Sequence, residues 1–281
     1  MFRGIYNDKS HHREDLTDVI KRSFDTCIDK IIITSGQISE TKESLELCEI
    51  SDNLYTTVGF HPTRAKDFVE CMPEYILSME SLLKENPVKI VSIGEIGLDY
   101  ARTQFCDIET QKIAFRRQLN LSLNYKKPLF LHCRDAFDDF IEIIRENNPS
   151  QSLRGVVHSF DGKLEHAKQF IDAGLYIGIN GCSLRSEESL NIIKELPMDR
   201  LMIETDSPWC GIKRTHPSYK YVKTIYDSKK RSNFTDNFQV KDRNEPQNLI
   251  QVLEVLAGLM DVDINELAQI THVNTMKLFF S

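Results

Sequence analysis

Three of the eight histidines in this 281-residue chain stand at the ends of short apolar runs, where a strand delivers a side chain out of the core. His61 follows the run 54–60, His132 ends the run 128–132 and His158 ends the run 155–158. Two carboxylates occupy equivalent places: Glu95 after the run 88–93, and Asp206 after the run 201–204. Imidazole nitrogen and carboxylate oxygen together suit Zn²⁺, Mn²⁺ or Mg²⁺ in a site that keeps open positions for water. A carboxylate bridging two ions about 3.5–4 Å apart would allow two-metal hydrolysis. Taken singly, each histidine reads more simply as a satisfied polar residue at a strand end. Taken together they read as a metal site of Glu95, His132, His158 and Asp206. His61 and Arg134 leave strand ends toward the same mouth and are candidates for phosphate contact, with an internal ion pair as the other reading for Arg134. Cys133 reads as a buried strand thiol. His11 and His12 read as solvated residues near the terminus, His166 as a helix residue off the apolar stripe, His272 as part of the last helix, and His216 as a loop residue for which phosphate contact is the lesser reading.

The elements that must position these groups alternate along the chain. A helix is expected over residues 14–29, with Leu16, Val19, Ile20, Phe24 and Cys27 on one face, then a strand Ile31–Ile33. Helices over 41–50, 73–86, 109–125, 136–147, 164–173 and 187–196 alternate with strands 54–60, 88–93, 128–132, 155–158, 175–179 and 201–204. The strands are short, continuous and rich in Ile, Val and Leu, the pattern of parallel strands covered on both faces. Serial βα units of this kind imply an α/β fold. A (β/α)8 TIM barrel places its active site at the carboxyl ends of the strands, where the histidines and carboxylates fall. An open doubly wound sheet is the alternative, but no Gly-rich turn follows an early strand. Seven strands are readable, one fewer than a closed barrel. The whole chain, 1–281, is expected to be a single barrel, with 207–245 a long polar loop or lid and 246–281 two closing helices. Arg243-Asn244-Glu245-Pro246 reads as structural: Asn244 would cap the helix that begins at Pro246, and Glu245 would pair with Arg243.

Composition narrows the setting. The apolar fraction is 41% and the charged fraction 27%, ordinary for a globular chain with a large core. No apolar run is long enough to span a membrane, and the first residues lack a signal-peptide stretch. Seven cysteines without a C-x-x-C spacing read as reduced thiols of an intracellular protein, in nucleus or cytoplasm. A net charge of −7 argues against a surface that coats itself in nucleic acid, but not against an enzyme that grips one phosphodiester through metal ions.

Along its whole length the sequence resembles the TatD family of metal-dependent deoxyribonucleases. The resemblance is carried by Gly59-Phe60-His61-Pro62, Gly94-Glu95-Ile96-Gly97-Leu98-Asp99, Leu131-His132-Cys133-Arg134, His158-Ser159-Phe160-Asp161-Gly162, Glu204-Thr205-Asp206-Ser207-Pro208-Trp209 and Arg243-Asn244-Glu245-Pro246, in family order. The stretches Met1–Tyr6 and Asn180–Leu184 bring it closest to the eukaryotic branch. The resemblance implies a TIM barrel, two divalent ions per chain (Mg²⁺, Mn²⁺ or Zn²⁺) and DNA as substrate. It puts the bridging carboxylate at Glu95, two imidazole ligands of one ion at His132 and His158, and a ligand of the other ion at Asp206. The family opens with a strand that in bacterial members ends in two metal-binding histidines. Met1 falls just after that place, so the expectation is a barrel whose first strand is missing from this chain, with Ile31–Ile33 and residues 201–204 left as weakened edges.

The expected chemistry is hydrolysis of DNA phosphodiester bonds by a metal-activated water, with Asp206 orienting or deprotonating that water. Hydrolysis of a small ester or amide on the same scaffold is the second reading. A truncated barrel with little activity, kept for binding, is the third.

Overall fold

Residues that are apolar on both faces of a strand need cover on both sides, and the chain supplies it by following each strand with a helix. The computed structural model describes residues 1–26, 28–148 and 152–281. Cys27, expected on the stripe of the first helix, lies outside the described residues. In chain order the elements begin with β1 (Ile5–Tyr6), β2 (Lys9–Ser10), α1 (Leu16–Phe24), β3 (Ile31–Ile33), α2 (Ile38–Leu47) and β4 (Leu54–Val58). Next come α3 (Ala65–Glu70), α4 (Met72–Glu85), β5 (Ile90–Asp99), α5 (Ile108–Tyr125), β6 (Leu129–Arg134) and α6 (Phe137–Glu146). Then follow β7 (Gly155–Val157), α7 (Leu164–Asp172), β8 (Leu175–Ile179), α8 (Glu187–Lys194) and β9 (Leu201–Ile203). The chain closes with β10 (Ser228–Lys229), β11 (Gln239–Val240), α9 (Leu249–Met260) and α10 (Ile264–Phe279).

By its contacts the chain divides into two compact units, Lys30–Gly178 with His272–Ser281, and Met1–Asp29 with Ile179–Thr271. In the larger unit β3 to β8 pair in parallel and in chain order. Their side chains and those of α5 to α7 make the core: Ile90, Ile93, Ile96, Leu98, Leu129, Leu131, Phe115, Phe140 and Phe170 are all buried. Each contributes about 1.5–3 kcal/mol by leaving water. The α/β class and the seven expected βα strands are all present, the seventh, β9, in the smaller unit.

Two local readings change. The strand expected to stop at residue 93 continues to Asp99, because Gly94 and Gly97 let the backbone of β6 come close. A Cβ at Gly94 would lie 2.4 Å from the Phe130 oxygen, and one at Gly97 1.9 Å from the His132 oxygen. In front of α1 the residues form an antiparallel pair, Ile5 with Ser10 and Tyr6 with Lys9.

The smaller unit pins much of the segment read as a long polar loop or lid. His12 stacks on Phe234 at 4.3 Å, so it is packed and not merely solvated. Arg13 pairs with Asp236 at 2.7 Å. Arg243 grips Asp15 with two nitrogens, at 2.7 and 2.6 Å, and pairs with Glu245 at 2.8 Å. Glu245 in turn takes Arg22 at 2.6 and 2.8 Å. The pairing of Arg243 with Glu245 is as expected. Asn244 is not the helix cap: its backbone N–H donates to the Pro208 oxygen at 3.1 Å and its side-chain amide to the Thr205 oxygen at 2.8 Å. It therefore holds the turn that carries Asp206.

Candidate metal centre

Four of the six expected site residues are in the larger unit's strand-end cluster or beside it. Glu95 leaves β5, with its backbone N–H donating to the Ser35 oxygen at 2.8 Å. Ser35 is itself fixed by Thr57, whose hydroxyl accepts the Ser35 N–H at 3.0 Å. His132 leaves β6, directly across the ladder from Gly97. His158 follows β7, and its N–H donates to the Leu131 oxygen at 2.9 Å. His61 follows β4, with its N–H on the Gly36 oxygen at 3.0 Å.

Three imidazoles converge on one carboxylate oxygen. Glu95 Oε1 lies 2.8 Å from His132 Nδ1, 2.8 Å from His158 Nε2 and 3.4 Å from His61 Nε2. His132 Nδ1 and His158 Nε2 are 3.2 Å apart. On its far side His132 Nε2 meets Asp99 Oδ2 at 3.2 Å. Phe130 stacks on His158 at 4.8 Å and fixes the ring plane.

The electrostatics follow from this geometry. Burial works to raise the pKa of the Glu95 carboxyl, but the charge of His158 and hydrogen bonds from His132, His158 and His61 hold it well below the usual range. For Asp99, burial is likewise overcome by His132 and Arg102, and its pKa is lowered. Burial lowers the pKa of His132, yet the carboxylates of Asp99 and Glu95 on its two nitrogens carry it above the ordinary value. A cation seated among Glu95, His132 and His158 would take the place of the proton on Nδ1. Asp99 would then hold the remaining proton on Nε2 and fix the tautomer, as carboxylates behind metal-ligating histidines do. The donor set therefore fits a divalent ion. A second observation agrees: Asp99 Oδ1 is buried without a hydrogen-bond partner, an acceptor in want of charge. Two overlapping triplets have ligand atoms within 4.8 Å of one another, Glu95–His132–His158 and His61–Asp99–His132.

The remaining two residues have other surroundings. Of the roles open to Arg134, the ion pair is present: Nη1 lies 2.7 Å from Asp161 Oδ2. Asp206 belongs to the smaller unit, on the turn after β9. Its oxygen accepts the Trp209 N–H at 2.9 Å, and its carboxylate accepts the Cys210 thiol at 3.1 Å. Burial pushes the Cys133 thiol up to about 12, which agrees with an inert strand cysteine.

Sequence reasoning missed three positioning residues. Asp99 had a readable signal: it stands four residues after Glu95 on a strand, hence on the same face. The other two are buried glutamines seven residues apart on α5. Gln118 clamps Phe60, accepting its N–H at 2.7 Å and donating to its oxygen at 3.2 Å. Gln111 clamps Asp99 in the same way at 2.8 and 3.0 Å. Each holds the backbone at or next to a site residue.

The chain has relatives among known proteins. The sequence model of the family described as "TatD related DNase" matches residues 6–280, spanning both units. The chain is 35% identical to "Deoxyribonuclease Tat-D" of Schizosaccharomyces pombe over 99% of this chain and 91% of that protein. Among solved structures it is similar to a hydrolase TatD family protein from Entamoeba histolytica, at 36% identity and a TM-score of 0.94 over 99% of this chain and 94% of that one. An uncharacterized amidohydrolase from Saccharomyces cerevisiae superposes with a TM-score of 0.90 at 32% identity, over 99% of this chain and 96% of that one. With strand-end imidazoles and carboxylates in place and a family match along nearly its full length, the chain belongs to the TatD-related DNase family.

Proposed function

We propose that this chain is a divalent-metal-dependent deoxyribonuclease that hydrolyses phosphodiester bonds of DNA. The observation that carries the reading is the convergence of His132, His158 and His61 on Glu95 Oε1, with Asp99 behind His132. Bound divalent ions would supply neutralisation of the phosphate charge and water acidic enough to attack at neutral pH. The chain's own residues divide the remaining work. Glu95, His132 and His158 hold the first ion. The resemblance of Glu204-Thr205-Asp206-Ser207-Pro208 to the family motif supports Asp206 as a ligand of a second ion and as the group that orients the attacking water. His61 Nδ1 accepts the Thr63 N–H at 3.2 Å, so Nε2 carries the ring proton and can donate to a phosphate oxygen. Arg134, held by Asp161 at the next strand end, is the second phosphate candidate.

DNA is the proposed partner. Among the described residues no helix is long and apolar enough to cross a membrane. Among the described residues the six cysteines are thiols and not disulfides, which supports a reducing compartment, nucleus or cytoplasm.

The test is a cleavage assay on oligonucleotides and on small carboxylic esters, in chelator and with Mn²⁺ or Mg²⁺ restored. The reading expects metal-dependent scission of the oligonucleotide and little turnover of the esters. Preference for the esters would overturn it.

A further inference from the structure

The smaller unit carries a feature that the metal cluster does not use. Trp209 is the single tryptophan of the chain, and it is 61% exposed. Isolated exposed apolar side chains are common; this one stands on a backbone fixed from both directions. Its N–H is held by the Asp206 oxygen at 2.9 Å, and Asn244 ties down the Pro208 and Thr205 oxygens at 3.1 and 2.8 Å. An indole on an immobile turn loses little entropy when something lies down on it.

Cations stand on the loops around it. Gly181, on the loop after β8, packs directly on the backbone that follows Trp209: a Cβ there would fall 2.1 Å from the Cys210 oxygen and 3.0 Å from the Ile212 nitrogen. Arg185 ends the first of these loops and Lys213 follows Ile212 on the second. Lys213 turns back on His216, whose backbone N–H donates to the Lys213 oxygen at 2.9 Å. Burial, then the charge of Lys213, then that of Arg185 lower the pKa of that imidazole. Residues 207–245 hold nine Lys and Arg against four Asp and Glu, a local net charge of +5 in a chain of net charge −7.

We propose that Trp209, with Arg185 and Lys213 on the adjoining loops, forms a nucleotide-binding subsite in which the indole stacks on an unpaired base and the two cations take flanking phosphates. The proposal rests on the nuclease reading and adds the residues that select strand state. A stacked duplex covers both faces of each base, so an exposed indole has a partner only in single-stranded or frayed nucleic acid.

The single tryptophan makes the test direct, because red-edge fluorescence then reports on Trp209 alone. The whole 281-residue chain in chelator, so that nothing is cleaved, is titrated with a roughly eight-nucleotide oligothymidylate; binding is followed in parallel by anisotropy of a labelled strand. The proposal expects saturable quenching in step with binding, and binding without quenching for an abasic strand of the same length. Trp209→Ala weakens binding on the order of tenfold, and Trp209→Phe restores most of it. The double variant Arg185→Ala with Lys213→Ala binds more weakly and reduces the salt slope by roughly two. No oligothymidylate binding, binding without quenching, or equal quenching by the abasic strand would overturn it. Cleavage in Mn²⁺ without quenching would remove the subsite and leave the nuclease; quenching without cleavage of any nucleic acid would do the reverse.

Discussion

Each unit of this chain contains a cluster of buried charge, and the two are satisfied differently. In the smaller unit Asp15 and Glu245 face Arg22 and Arg243, two negative groups against two positive. All four carboxylate oxygens receive a guanidinium hydrogen bond, and Gln247 adds one to Glu245 at 3.2 Å. Only Arg243 Nε lacks a partner there, and Phe2 lies under that guanidinium at 4.8 Å. In the larger unit Glu95 and Asp99 face imidazoles, which are neutral unless protonated. Three of these rings crowd one carboxylate oxygen while a buried oxygen of Asp99 has none. A cluster that neutralises itself ties chain segments together; one with surplus carboxylate and converging imidazoles needs a cation from outside. The difference separates structural from chemical charge without reference to any motif.

The largest expected effect breaks the open cluster. Glu95→Ala removes the oxygen on which the imidazoles converge, and turnover should fall by roughly 10³-fold or more. His158→Ala removes one donor and should chiefly raise the metal concentration needed, by on the order of 10–100-fold. Metal-activation curves on an oligonucleotide separate the two. Unchanged turnover in Glu95→Ala would show that the cluster is not the centre.

The self-neutralised cluster should fail in stability instead. Arg243→Ala strands two buried carboxylates and should destabilise the protein by about 3–5 kcal/mol. In thermal melts that is a drop on the order of 10 °C. Combining it with Asp15→Ala should cost less than the sum of the two, since each removes the other's partner. Additive losses would mean that the quartet does not act as a unit.

A smaller effect sharpens the link from helix to site. Gln118→Ala leaves the amide and carbonyl of Phe60 unpaired in the core, for about 1–3 kcal/mol. Because Phe60 precedes His61, KM should rise several-fold while Mn²⁺ affinity stays near that of the parent. A melt and a KM both unchanged would remove Gln118 from the positioning residues.

The parts of this arrangement that could be read from sequence are those encoded locally. All seven expected strands appear because each is a short run rich in β-branched and apolar residues, from Ile-Ile-Ile at 31–33 to Leu-Tyr-Thr-Thr-Val at 54–58. Glu95, His61, His132 and His158 were readable because strand ends of such units meet. The extension of β5 to Asp99 was hidden by Gly94 and Gly97, which resemble a loop until the close approach of β6 is known. Short α3 and the β1–β2 pair offered too few residues for a period to show. The ion quartet joins residues 228 positions apart, and Asn244 turned from a helix cap to a turn clamp for the same reason. No local pattern carries such a pairing. Gln111 and Gln118 lie on the buried face of α5 at helical spacing, but polar residues in that stripe read as defects until the strand backbone they clamp is seen.

Calorimetric titration of Mn²⁺ into metal-stripped protein tests the central claim most directly, with wild type and Glu95→Ala run side by side. The account predicts saturable binding to wild type, and a loss of that binding in Glu95→Ala while its melt in chelator shows a folded protein. Indistinguishable titrations, or a wild type that takes up no metal yet cleaves DNA fully in chelator, would contradict it.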